Sequence, residues 1–122
     1  VGVKAVVLLR KILDMFWLKL ASVHSDGGSL LLNTISLLGE FDAKVVPELL
    51  SKISQTFRIE TSGAKLAVLN LFGQLQHKQM WLYVNNVTML LHDTNETVRT
   101  KAQYLYDLQV EHAVQYLSSP NQ

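Results

Sequence analysis

The chain lacks cysteine, and neither sign of charge dominates its 122 residues. Without cysteine it can form neither a disulfide framework nor a thiolate zinc site, and it is compatible with a reducing compartment. Eleven lysines and arginines oppose ten aspartates and glutamates, for a formal net charge of +1. A balance this even provides no strong attraction for nucleic acid or for a membrane surface. We therefore expect no nucleic-acid partner.

The sequence also lacks a long apolar run. Its most apolar stretch, at the start, is interrupted by five charged residues, Lys4, Arg10, Lys11, Asp14 and Lys19. The remaining segments fall well short of the roughly 18 apolar residues that a membrane span needs. The run from Ala5 to Leu9 is too short for a secretory signal, and no small-residue cleavage site follows it. These patterns predict a cytosolic chain without a membrane span.

Motifs that carry chemistry are almost absent. The four histidines, His24, His77, His92 and His112, form no pair at helical spacing with a carboxylate, as a metal site would need. No G-x-S-x-G element occurs. Gly27-Gly28 is too short for a phosphate-binding loop and is interpreted as a helix stop. We therefore predict no catalytic, cofactor-binding or metal-binding residue and no enzymatic activity.

Three further patterns have structural interpretations. Glu48-Leu49-Leu50 resembles part of an acidic dileucine sorting signal, but its leucines lie on an apolar helical stripe, which favours core packing. The sequons at Asn86 and Asn95 are taken as incidental, because no signal peptide accompanies them. The aromatic side chains could stack on nucleic-acid bases, but with little basic charge nearby, packing or a protein partner is favoured. These are Trp17, Trp81, Tyr104 and Tyr106.

Apolar residues at spacings of three and four predict helices along nearly the whole chain. The predicted helices cover about 3–22, 29–41, 45–57, 64–76, 79–92, 96–108 and 109–118, with breaks at Ser25–Gly28 and Thr61–Gly63. Pro47 suits a first helical turn, and Asp93 with Glu96 is typical of a capping box. No stretch alternates with period two, so no sheet is expected. The 29–41 helix is apolar around most of its circumference and must be covered on more than one side.

A helical segment recurs after 34 residues. Leu32–Glu40 reads LNTISLLGE, and Leu66–Gln74 reads LAVLNLFGQ, which aligns Gly39 with Gly73. This period matches one helix pair, which cannot bury its apolar face alone and must stack on a copy of itself. The sequence therefore predicts an all-α fold, a HEAT/armadillo-like α-solenoid of stacked antiparallel helix pairs. Residues 1–122 are interpreted as a single solenoid segment, part of a longer trunk.

Four segments carry a resemblance to a known family. They are LLGEF at 37–41, KVVPELLSKISQTF at 44–57, KLAVLNLFGQL at 65–75 and DTNETVRTKAQYLYDL at 93–108. In this order and at this spacing they resemble the trunk of a large adaptin, and they are most similar to the β-type subunit of adaptor-protein complex three. The resemblance covers about residues 37–108. Each motif alone is weak, so the specificity lies in their order and spacing.

The resemblance implies a function without catalysis. The chain would be a scaffold segment of a vesicle-coat adaptor complex, in intracellular protein transport from endosome or Golgi to lysosome or vacuole. Its protein partners would be the medium, small and other large subunits of that complex. It would be cytoplasmic and peripheral on Golgi or endosomal membranes, held there through the complex. The alternative is a free-standing HEAT-like protein-binding scaffold of nuclear-transport or general type.

In either case the end helices of a solenoid segment need cover from neighbours. We therefore expect neighbouring protein to cover two apolar stripes, the one at Phe16 and Trp17 and the one from Val110 to Leu117.

Overall fold

The computed structural model describes residues 3–15, 17, 29–56 and 59–118. These residues form α1 Val3–Met15, α2 Ser29–Phe41, α3 Val45–Thr56, α4 Ser62–Gly73, α5 His77–Trp81, α6 Val84–Leu90 and α7 Glu96–Ser118. No strand occurs in these ranges, which confirms the all-α class. None of these helices combines the length and apolar character needed to cross a bilayer.

The first three helices agree with the sequence prediction where they are described. Helix α2 has the predicted limits, and α3 begins at Val45 with Pro47 in its first turn. Helix α1 and the helical backbone of Trp17 match the predicted 3–22 helix. The remainder of that prediction, including the break at Ser25–Gly28, lies outside the described residues.

Helix α4 begins and ends earlier than the predicted 64–76. Thr61 is its N-cap, because the Thr61 hydroxyl accepts a hydrogen bond from the backbone N–H of Ala64 at 3.2 Å. Ser62 and Gly63 therefore lie in the first turn, and the predicted break is wrong at both positions. After Gly73 the backbone N–H of Gln74 donates to the Leu71 carbonyl at 3.0 Å, which tightens the end of the helix.

The predicted helix at 79–92 is wrong, because the chain bends between α5 and α6. The backbone N–H groups of Leu82 and Tyr83 donate three residues back, at 3.1 and 3.0 Å, and close α5 as a tight turn. The Tyr83 ring then stacks on Phe72 of α4, with 4.8 Å between ring centroids. This tertiary contact fixes the bend against α4.

The two helices predicted at 96–108 and 109–118 are one helix, α7. No glycine or proline lies between Glu96 and Ser118, so nothing in the backbone interrupts the helical hydrogen bonds. The apolar positions of 96–108 and those of 109–118 do not follow one straight stripe. The sequence pattern therefore wrongly predicted a helix boundary near Gln109. A continuous α7 extends past the buried core and leaves its last turns partly exposed.

The described helices pack in a row. Helix α2 contacts α1, α3 and α4, while α4 contacts α7, and α7 in turn contacts α5 and α6. This packing confirms that α2 is covered on more than one side, although Leu30, Leu37 and Phe41 remain exposed. The largest fully buried side chains, which form the core, are Leu13, Leu31, Leu32, Ile35, Leu38, Leu49, Leu69, Leu71, Leu105, Val46, Val87 and Val98.

The N-cap of α7 is Asn95 rather than the predicted Asp93. The Asn95 Oδ1 accepts a hydrogen bond from the backbone N–H of Val98 at 3.1 Å. Asp93 instead accepts one from the backbone N–H of Asn95 at 3.0 Å, which orients the cap. The capping box drawn from Asp93 and Glu96 is therefore wrong in its first residue.

Loss of this cap should measurably reduce the stability of the protein. We expect Asn95→Ala to lower the free energy of unfolding by about 1 kcal/mol, because one N-terminal amide of α7 loses its acceptor. Asn85→Ala, at an exposed position on α6, is the matched control and should change it by about 0.5 kcal/mol or less. Urea denaturation followed by circular dichroism measures both, and equal midpoints for the two variants would contradict the cap.

Candidate binding surface

An apolar groove lies where α5 and α6 meet the C-terminal half of α7. Its volume is about 420 Å³. It is lined by Trp81, Val84, Tyr106, Gln109, Val110, Ala113, Tyr116 and Leu117. The α7 residues recur at steps of three and four, so they lie on one face of that helix. Because α7 is continuous, this face extends beyond the core and opens to solvent.

Trp81 forms the wall of the groove opposite α7. The bend after α5, fixed by Tyr83 on Phe72, directs the Trp81 ring toward Tyr116 in an edge-to-face contact with 5.4 Å between centroids. The Lys78 ammonium lies 5.7 Å from the Tyr116 ring centroid. An aromatic pair with a cation over one of its rings therefore forms part of the groove.

Gln109 is the buried polar residue of the groove, with only 3% of its surface exposed. Its Nε2 donates a hydrogen bond to the Met80 carbonyl at 3.1 Å and so ties α7 to α5. The Gln109 Oε1 and the Trp81 Nε1 are both buried without a hydrogen-bond partner.

The C-terminal half of α7 leaves several apolar side chains exposed. Asp107 and Glu111 are also exposed on this helix, but neither lines the groove. Among the exposed apolar residues of this region, Leu117 has 79% of its surface exposed, and Val110 and Val114 are also exposed. The expectation that the Val110–Leu117 stripe needs cover from a neighbour agrees with this exposure.

A second exposed apolar face lies on α1. Leu8, Ile12 and Met15 recur at steps of four and three and point away from buried Leu13. Trp17, by contrast, is buried, with the Lys52 ammonium 4.3 Å from its ring centroid. The predicted open stripe at Phe16 and Trp17 is therefore wrong at Trp17, and Phe16 lies outside the described residues.

Outside the groove, ion pairs connect neighbouring helices. Arg10 of α1 donates to Glu48 of α3 at 2.8 Å, and this hydrogen bond, with the charge of Arg10, lowers the pKa of the Glu48 carboxyl. The Lys65 ammonium pairs with Asp93, and that hydrogen bond, together with the Asn95 N–H, lowers the pKa of Asp93. These pairs join α1 to α3 and α4 to the start of α7.

The residues singled out from the sequence are mostly dispersed. Leu49 and Leu50 are buried, which confirms core packing over a sorting signal. Trp81 and Tyr106 both line the groove, whereas Trp17 is buried beside α3 and exposed Tyr104 is not among the lining residues. The four aromatics therefore form no common stacking surface.

The remaining candidates are also separate from the groove lining. Within the described ranges, no group of three or more histidine, aspartate or glutamate side chains is placed to hold a metal ion. His92 is exposed, His112 is half-buried on α7, and His24 lies outside the described residues. Asn86 is exposed on α6, and Asn95 caps α7.

Sequence reasoning missed Gln109. Its signal was a polar residue in register with buried Ala102 and Leu105 on α7, at steps of three and four. The sequence pattern instead predicted a helix boundary beside it.

No protein-family model matches the chain, and no curated protein or solved structure matches it either.

Proposed function

We propose that the chain is a non-enzymatic scaffold segment of a vesicle-coat adaptor complex. In this proposal it forms a HEAT/armadillo-like α-solenoid segment within a longer adaptin trunk. It contacts the medium, small and other large subunits, and it reaches Golgi or endosomal membranes through the complex. Its role is structural: it positions partners during intracellular protein transport toward the lysosome or vacuole.

The regular spacing of the central helices is the observation that carries the proposal. Helices α2, α4 and α7 begin at residues 29, 62 and 96, which are 33 and 34 residues apart, and each packs on the next. Helix α3 packs on α2, and α6 packs on α7. A row of helices that begin at a nearly constant spacing along the chain supports a repeat architecture.

The resemblance to large adaptins adds support from the sequence. Its four segments fall on the end of α2, on α3, on α4 and on the first half of α7. Three of them therefore lie on the central row, and the segment at 44–57 lies on α3, which packs on α2. An extended row of this kind provides surface for protein partners, and the groove provides an apolar contact at one end of it.

Co-purification with adaptor subunits tests the proposal. The tagged chain would be co-expressed with the medium, small and other large subunits of adaptor-protein complex three. We expect stoichiometric recovery of at least one of these subunits after size-exclusion chromatography. A folded exposed variant, Asn70→Asp, should recover the same amount, and the core variant Leu71→Asp should recover none.

The groove favours a second candidate, a free-standing HEAT-like scaffold that binds a helix or peptide of another protein. Under that reading the chain would recover no adaptor subunit, although it remains folded and melts cooperatively. The same co-expression therefore separates the two functions.

A further inference from the structure

We propose that helix α1 lies on an anionic lipid surface, which it contacts through its solvent-exposed face. This face consists of Lys4, Val7, Leu8, Lys11, Ile12 and Met15. Direct contact of this kind goes beyond the adaptor proposal, in which the complex holds the chain at a membrane, and it does not depend on that proposal.

The exposed face of α1 combines positive charge with apolar side chains. Lys4, Leu8, Lys11 and Met15 follow one another at steps of four, three and four, so they form one line along the helix. All four are exposed, Leu8 by 59% and Met15 by 74%. Ammonium groups and apolar side chains therefore alternate along the surface that α1 turns to solvent.

The positive charge of this face comes from its two lysines. Arg10 pairs with Asp14 at 3.3 Å and with Glu48 of α3 at 2.8 Å, so these three charges are engaged with one another. Neither Lys4 nor Lys11 forms an ion pair with a residue that the structure describes. The charge of the whole chain is nearly even, but the exposed face of α1 is positive, which favours an anionic partner.

The position of the lysines favours a lipid surface over a protein neighbour. Lys4 and Lys11 lie in the middle of the face, with exposed Val7 on one side and exposed Ile12 on the other. The buried core of a protein interface is depleted in lysine, because the ammonium group would lose its water there. At a bilayer the lysines can extend to the headgroup phosphates, while the apolar side chains beside them reach the acyl boundary.

The place of α1 in the fold suits contact with a flat surface. Helix α1 packs on α2, and it stands at one end of the row that α2, α4 and α7 continue. Its thirteen residues run about 20 Å. The side of α1 opposite buried Leu13 is therefore open along this whole length.

Sedimentation of the 122-residue chain with lipid vesicles tests the proposal. We expect the chain to bind vesicles that contain phosphatidylserine, and to bind vesicles of phosphatidylcholine alone at least about tenfold more weakly. Binding to the anionic vesicles should also weaken at high salt, since the Debye length falls to about 3 Å at 1 M.

Substitutions on the face separate its charged and apolar contributions. Lys4→Gln combined with Lys11→Gln should lower the affinity for phosphatidylserine vesicles at least about tenfold, because each lysine near an anionic surface contributes about a fivefold factor. Leu8→Gln removes an apolar contact without changing charge and should lower it at least about threefold. Lys44→Gln and Leu117→Gln make the same changes at exposed positions elsewhere and should bind like the wild type. Circular dichroism should show unchanged helix content in all of them.

A fluorescent label shows which surface contacts the lipid. Because the chain has no cysteine, Leu8→Cys provides a single labelling site on α1 and Leu117→Cys provides one on α7. A nitrobenzoxadiazole label at position 8 should brighten and shift to shorter wavelength on phosphatidylserine vesicles, because it leaves water. The same label at position 117 should not change.

Three results would overturn the proposal. A wild-type chain that binds no phosphatidylserine vesicles lacks the lipid contact altogether. Equal binding by the lysine variant and the wild type, or a response of the label at position 117 instead of position 8, would exclude α1 as the contact. None of these measurements involves an adaptor subunit, so failure of this inference and failure of the proposed function are separate outcomes.

Discussion

Replacing Leu71 with aspartate is expected to unfold the protein. Leu71 is fully buried on α4, the helix that packs on both α2 and α7. An aspartate there has no water around its carboxylate, so the variant should lose at least about 3 kcal/mol of unfolding free energy. Domains of this size are stable by only about 5–15 kcal/mol, so the loss should shift the melting temperature strongly or abolish cooperative melting.

The neighbouring position provides a matched control. Asn70 is exposed on the same helix, and Asn70→Asp introduces the same carboxylate one residue away. We expect a change of about 0.5 kcal/mol or less. Lys52 on α3 is also exposed but is a poorer control, because its ammonium lies over the Trp17 ring. Similar melting temperatures for Leu71→Asp and Asn70→Asp would show that the buried side of α4 is assigned incorrectly.

The apolar pattern predicted the packed faces well. On α3, Val46, Leu49, Leu50 and Ile53 are buried as expected, because regular steps of three and four define one face of a helix. The limits of α2 were also predictable, because Phe41 ends the apolar run before Asp42 and Pro47. These features depend on local sequence, which is available before any tertiary contact forms.

The features that the sequence did not predict depend on tertiary contacts. The bend after α5 depends on Tyr83 stacking on Phe72, eleven residues earlier in the chain, and no local signal indicates that pairing. The placement of α7 against α5 depends on Gln109, whose Nε2 donates to the Met80 carbonyl 29 residues earlier, and no local signal indicates that pairing either. Both features shape the groove, so the exposed Val110–Leu117 stripe was predictable but the groove beside it was not.

The two glycines that the repeat aligns have different surroundings, and this difference predicts opposite effects. Gly39 lies in the last turn of α2, where an added Cβ would fall 2.5 Å from the Val46 Cγ2. Gly73 ends α4 and is exposed, and its Cβ would lie 3.5 Å from Leu105, an ordinary contact. The aligned sequence places both glycines at the end of a helix, but only Gly39 is required by close packing.

Gly39→Ala should therefore destabilise the protein, and Gly73→Ala should stabilise it. Alanine gains about 1 kcal/mol over glycine within a helix. At Gly39 the collision with Val46 costs about 1–3 kcal/mol, so we expect a net loss of up to about 2 kcal/mol. At Gly73 no collision opposes the gain, and the free energy of unfolding should rise by about 0.5–1 kcal/mol. Chemical denaturation of both variants gives the two values.

A double-mutant cycle identifies the cause at Gly39. Val46→Ala removes the Cγ2 that the new methyl group would meet, although by itself it should leave a cavity and destabilise the core. If the collision is the reason, Gly39→Ala should cost less in the Val46→Ala background than in the wild type, by about 1 kcal/mol or more. If the effects of the two substitutions are simply additive, contact with Val46 is not the reason that Gly39→Ala destabilises the protein. If Gly39→Ala alone stabilises the protein, α2 and α3 are not packed this closely.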